Sequence, residues 1–90
     1  MKWIYPKVIN ELKNGCTSFL SGNINIKEIQ SIIYNAEHQI ASLEENWFRE
    51  LLFLAENEIE LIQYTFNNEE ITANVIPIIE SILNKIENYS

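Results

Sequence analysis

Three residue types in this chain could do chemistry: one cysteine, one histidine and a large set of carboxylates. Cys16 is the sole thiol and His38 the sole imidazole. A nucleophilic cysteine needs a histidine beside it, and no sequence signature marks such a pairing here. Cys16 falls on the apolar face of a helical pattern and reads as a structural thiol. His38 follows Glu37 and reads as a surface or boundary residue. The carboxylates are thirteen Glu, with no Asp. A di-iron bundle needs paired Glu-x-x-His motifs, which one histidine cannot supply. A calcium loop needs Asp or Asn ligands around a Gly, and a phosphate loop needs a Gly-rich turn; neither pattern is present. A carboxylate pair doing glycosidase-type work needs a cleft, which a small helical domain rarely offers. The expectation is no catalytic residue, no metal, no cofactor and no small-molecule ligand.

What so many carboxylates can do is attract cations. Five Lys and one Arg against thirteen Glu leave a net charge of −7. The balance is uneven. Residues 1–27 carry four Lys against Glu11, a net of +3, and residues 28–90 carry twelve Glu against Arg49 and Lys85, a net of −10. Such a surface does not bind nucleic acid by neutralising phosphates, and it repels anionic membranes. It fits the basic surface of another protein. Taken singly, each Glu is simply a solvated charge.

At 90 residues and 10.6 kDa the sequence has room for one domain, residues 1–90. One cysteine excludes an intrachain disulfide framework and fits a reducing compartment. No apolar run approaches the roughly 18–20 residues needed to span a bilayer, and the first residues do not resemble a secretory signal. A soluble cytoplasmic protein is expected.

Periodicity supplies the elements that position these side chains. From Pro6, residues Val8, Leu12, Cys16 and Leu20 recur every four positions on one helical face. Gly15 weakens this helix, and Ser21-Gly22 ends it. Asn25 with Glu28 three residues on is a capping box for a second helix, with Ile24 and Ile29 placed as a hydrophobic staple. Its face runs through Ile32, Ile33, Ala36, Ile40 and Leu43. Ser42 and Glu45 predict a bend near 41–43, with one continuous long helix as the alternative. The third helix buries Trp47, Phe48, Leu51, Leu52, Ala55, Ile59 and Ile62, and Asn67-Asn68 ends it. Asn74 is the expected cap of the fourth helix, because it places Pro77 in the first turn, where proline is tolerated. Leu12, Phe19, Ile29, Ile33, Leu51, Leu52, Ile59, Ile79, Ile82 and Leu83 form the expected core. The fold class is all-α, a small antiparallel four-helix bundle.

Opposite the core stripe of the third helix stand Arg49, Phe53, Glu56, Glu60 and Tyr64, with Glu50 at the edge. Phe53 is nearly antipodal to the core, so it is either exposed or covered by a different neighbour. An aromatic side chain ringed by carboxylates has the composition of a hot spot for a basic partner. Glu58, Glu69 and Glu70 extend the negative surface into the loop expected before the fourth helix.

The run Glu50-Leu-Leu-Phe-Leu-Ala-Glu-Asn-Glu-Ile-Glu60, the acidic segment after it, and Val75 through Ile86 resemble the colicin D immunity proteins, a family with relatives in contact-dependent growth inhibition. The stretch Phe19 to Ile29 resembles that family's first helix, its loop and the start of the second. The resemblance covers residues 12–87. It implies an immunity-type four-helix domain that binds the cationic active-site cleft of a tRNA-cleaving toxin nuclease, acidic side chains standing in for RNA phosphates. The matching positions are Glu56, Glu58, Glu60, Glu69 and Glu70. The sequence differs from the family in an N-terminal extension carrying Trp3 and Tyr5, and in Tyr64-Thr-Phe-Asn-Asn where the family has a more acidic loop.

Two readings of another class stand beside this one. One is an acidic helical adaptor or antitoxin that binds a regulator. The other is a structural module that self-associates through the Phe53 face.

Overall fold

The computed structural model describes residues 3–89 as four helices around one apolar core. Helix α1 spans Pro6–Leu20, α2 Ile26–Gln39, α3 Asn46–Thr65 and α4 Asn68–Tyr89. Each helix packs on its neighbours in sequence, and α4 closes the ring against α1. The bundle measures 39 × 22 × 19 Å. Among the described residues, no helix is long and apolar enough to cross a membrane.

The first half follows its local signals. Pro6 occupies the first turn of α1, where its missing N–H costs nothing. Gly22, at φ +80°, takes the left-handed conformation just past the helix end, and its N–H donates to the Phe19 carbonyl at 3.0 Å. Asn25 caps α2 through a complete capping box. The Glu28 N–H donates to Asn25 Oδ1 at 2.8 Å, and the Asn25 N–H donates to Glu28 Oε1 at 3.1 Å. Gly15 has a packing role besides its conformational one. A Cβ built there would lie 2.8 Å from Ile32 Cδ1 and 2.9 Å from Ile32 Cγ2, so the glycine lets α1 and α2 approach closely.

The bend between α2 and α3 is present, and the two helices are not continuous. Ile40 leaves α2 in an extended conformation and is itself buried. The Ser42 side chain then caps a short 3-10 turn, Leu43–Glu45, accepting the Glu44 N–H rather than pairing with Glu45. Glu45 turns inward and is fully buried. Its Oε2 accepts the Ile4 N–H at 2.8 Å, tying the N-terminal segment to the start of α3. Trp3 packs in the same region, with ring centroids 4.8 Å from Phe48 and 4.2 Å from Tyr89. The Trp3 and Tyr5 segment is therefore built into the end of the bundle.

The second half requires three corrections. Helix α4 begins at Asn68, not after Asn74. The Glu70 and Ile71 N–H groups both donate to the Asn67 carbonyl, which starts the helix well before the position that an Asn74 cap predicts. Burial of Ile71 and Val75 continues the core stripe of α4 through this first stretch. That burial outweighs the lost hydrogen bond at Pro77, which stands inside the helix and is exposed. Asn74 does no capping; its Nδ2 donates back to the Glu70 carbonyl at 2.8 Å. Consequently Glu69 and Glu70 are not loop residues. They occupy the first turn of α4, where negative charge complements the helix dipole. Trp47, expected in the core, is 40% exposed. Leu51, Ile62 and Leu83 are partly buried at the core's border, whereas Leu12, Phe19, Ile29, Ile33, Leu52, Ile59, Ile79 and Ile82 are buried as expected.

Candidate functional site

Helices α2 and α3 leave a shallow groove between them. One end, of about 730 Å³, is lined by Tyr34, Glu56, Glu60, Gln63 and Tyr64, with Lys27 at the margin. The other, of about 500 Å³, is lined by Tyr34, Glu37, His38, Arg49, Phe53 and Glu56. Tyr34 and Glu56 belong to both and join them. Glu50 stands at the edge of the second end.

Of the eight residues that the sequence singled out, Glu50, Phe53, Glu56, Glu60 and Tyr64 line this groove. They recur at intervals of three and four along α3, which turns them to one face. Phe53 is 53% exposed, and Tyr64 is more open still. No neighbouring helix covers Phe53 fully. Glu58 does not join this set. It lines the opposite groove, between α3 and α4. Glu69 and Glu70 are exposed on the first turn of α4.

The floor of the groove holds a group that periodicity alone did not single out. Glu37 of α2 is 5% exposed, among the most buried charged residues described. Arg49 Nε donates to Glu37 Oε2 at 3.1 Å, an interaction that offsets the cost of burying this carboxylate. His38 lies at the rim. Its Nδ1 donates to the Tyr34 carbonyl at 2.9 Å and is 3.6 Å from Glu37 Oε1, while its ring lies tilted against that of Tyr34, with centroids 4.0 Å apart. Glu56 reaches across from α3 and hydrogen-bonds to Glu37 side chain to side chain. Burial, then the hydrogen bond and the negative charge of Glu37, push the Glu56 carboxyl up to about 7, while His38 pulls the other way. Glu56 Oε2 is buried without a partner.

A signal for Glu37 existed in the sequence. It follows Ile29 and Ile33 at intervals of four, at the border of the apolar stripe of α2, where a lone carboxylate demands a cation. Arg49, the only arginine, is the one that answers. No comparable signal marks Glu45, whose burial depends on where the 3-10 turn places it.

The groove can therefore do two things. Exposed Glu60 and its neighbours can attract cations from solution, and the Glu56 carboxyl, raised to about 7, can exchange its proton for a positive charge. Cys16 takes no part. It is buried in the core, and burial pushes its thiol up to about 12. Among the described residues, no group of three or more His, Cys, Asp or Glu side chains is arranged to hold a metal ion. No protein-family model, curated protein or solved structure matches the chain.

Proposed function

We propose that this chain is an immunity protein of the colicin D type. It binds a cognate basic toxin nuclease domain, tRNA-cleaving by the family resemblance, and occludes its active site with the α2–α3 groove. The observation that carries the reading is the pairing of exposed aromatic side chains, Phe53 and Tyr64, with the carboxylates of Glu56 and Glu60 along one face of α3. A cationic cleft built to hold RNA is matched by negative charge and by flat apolar surfaces where bases would stack. Helix α3 carries carboxylates and exposed aromatic rings on one face. Glu50, Glu58, Glu69 and Glu70 widen the negative field around this centre and speed encounter, since none of them is ion-paired among the described residues.

The test is binding kinetics against the toxin domain encoded beside this gene, at low and high salt. Reversing Glu56 and Glu60 to Lys is expected to weaken binding by about 2–5 kcal/mol, the cost of opposing charges desolvated at an interface. Phe53→Ala is expected to speed dissociation with little change in association, as for an apolar anchor. Glu11→Lys on α1 is the near-neutral control. Unchanged affinity in the folded double reversal sinks this interface. A neighbouring gene whose product does not bind at all leaves the acidic adaptor as the reading to pursue.

A further inference from the structure

Helix α3 carries a second apolar row outside the core and the α2–α3 groove; its first member, Trp47, already packs one side against Trp3 and Tyr89, with ring centroids 6.0 and 5.3 Å away, and the two leucines after it have no such cover. Trp47, Leu54 and Leu61 are spaced by seven, which aligns them along the helix at about 10.5 Å intervals. They are 40%, 60% and 64% exposed. Trp47 and Leu54 line a groove of about 520 Å³ between α3 and α4, whose walls also include Leu51, Pro77 and Ile78, and Leu61 continues the row beyond it. Solvent-facing leucines repeated every two turns are the pattern of a helix seam lacking its partner. Two carboxylates flank the row: Glu50 on the crest between the two grooves, and Glu58 within this one.

Those carboxylates identify the occupant. In an antiparallel two-fold dimer centred on Leu54, Trp47 would meet Leu61 of the second copy, and Glu50 would meet Glu58. A parallel pairing would set Glu50 against Glu50 and Glu58 against Glu58. Either arrangement buries like charges together, in a chain of net charge −7. A second copy is disfavoured, and an anionic bilayer is repelled for the same reason. A helix with its own apolar row, flanked by cations, satisfies both features at once. Glu50 and Glu58 are eight residues apart, about 12 Å along the axis, so the matching cations stand about two turns apart.

We propose that the α3–α4 groove docks an amphipathic helix of a partner protein, with large aliphatic residues at i, i+3 or i+4, and i+7, flanked by Lys or Arg two turns apart. This is helix-in-groove recognition. It uses a face that shares only Glu50 with the α2–α3 groove, and it does not depend on the toxin-binding reading.

The test titrates the full isotope-labelled chain with a synthetic helical peptide of that pattern, followed by amide NMR shifts. Control peptides carry the same apolar row flanked by Glu, or the basic composition in scrambled order. The expected result is saturable binding of the basic peptide, with shifts confined to Trp47, Leu54, Leu61 and the facing turns of α4. Leu54→Glu, at an exposed site the fold does not need, should weaken binding at least tenfold. The Glu50→Lys, Glu58→Lys double variant should reverse the preference and take the Glu-flanked peptide. Equal binding of the basic and Glu-flanked peptides by the native chain overturns the proposal, as do shifts centred on the α2–α3 groove. So does the absence of binding. Concentration-dependent dimerisation in sedimentation, abolished by Leu54→Glu, would assign the row to a second copy instead. Binding to phosphatidylcholine vesicles through the same residues would assign it to a lipid surface. Either outcome overturns a partner helix.

Discussion

Replacing Glu56 with Gln tests the raised Glu56 carboxyl directly. The Glu56 carboxyl stands at about 7 in the folded chain, against an ordinary value of 4.5. Between those values the folded protein holds a proton that the unfolded chain has released. Stability must therefore fall as pH rises through this window. The contribution is complete below about 4.5 and lost above about 7. At about 1.4 kcal/mol per pH unit, the full difference would be worth about 3 kcal/mol. Glu56 is only partly shielded from water, so screening reduces the expected loss to about 1–2 kcal/mol. The amide introduced by Glu56→Gln is neutral at every pH, and it can donate to Glu37 as the protonated acid does. The variant should match the native chain near pH 4.5 and exceed its stability by about 1–2 kcal/mol at about pH 8. Urea unfolding at several pH values across this range, followed by tryptophan fluorescence, reads both profiles. Arg49, His38, Glu37 and Glu60 are common to both proteins, so the difference isolates Glu56. Parallel profiles would refute the raised Glu56 carboxyl and with it the proton-for-cation exchange.

Leu52 is fully buried at the centre of α3, and Leu52→Ala should cost about 2–5 kcal/mol in urea unfolding, enough to unfold much of a domain this small. The Cys16 thiol, at about 12 and buried, should resist thiol reagents at mildly alkaline pH in the folded chain and react only after denaturant opens the core. Gly15→Ala sets a helix-propensity gain of about 1 kcal/mol against contacts of 2.8 and 2.9 Å with Ile32. Overpacking of about 1–3 kcal/mol should win, giving a lower midpoint that a further Ile32→Ala change partly restores. Affinity for a basic partner should rise as pH passes through about 7 in the native chain and stay flatter in Glu56→Gln, as calorimetry in buffers of different ionisation enthalpy would show.

The fold was legible where the signals were local. The Asn25–Glu28 box, Pro6 and Gly22 act within a turn or so of themselves, and periodicity then needs only to assign faces. It failed at α4 because Pro77 gives a strong local signal that tertiary packing overrides. The helix keeps Ile71 and Val75 in the core and accepts a broken hydrogen bond on its exposed side. Trp47 failed for a related reason. An apolar stripe of about 140° admits residues at its border, and only the position of α4 decides which of them reach the core. Phe53, Glu56, Glu60 and Tyr64 were legible because they share one helix. The spacing on α2 marked Glu37 as a border carboxylate, but its meeting with α3, and the place of His38, were not legible, since pattern along one helix does not say which residues of another will meet it.

The arrangement on the groove floor also decides how its charges divide their work. Arg49 neutralises Glu37, and the proton held with Glu56 removes a second negative charge near neutral pH. The buried pair therefore contributes little to the long-range field. Exposed Glu60 and its neighbours supply that field, which is screened by salt and acts on association. A cation that reaches the floor has to displace the proton or compete with Arg49, and it does so in a less hydrated place where each interaction is stronger. Steering and anchoring thus fall on different carboxylates. Reversing Glu60 alone should lower the association rate and its salt dependence, whereas Glu56→Gln, which leaves the field almost unchanged at about pH 6, below the raised Glu56 value, should act on dissociation there. If both variants change the same rate constant by the same factor, the division between rim and floor is wrong.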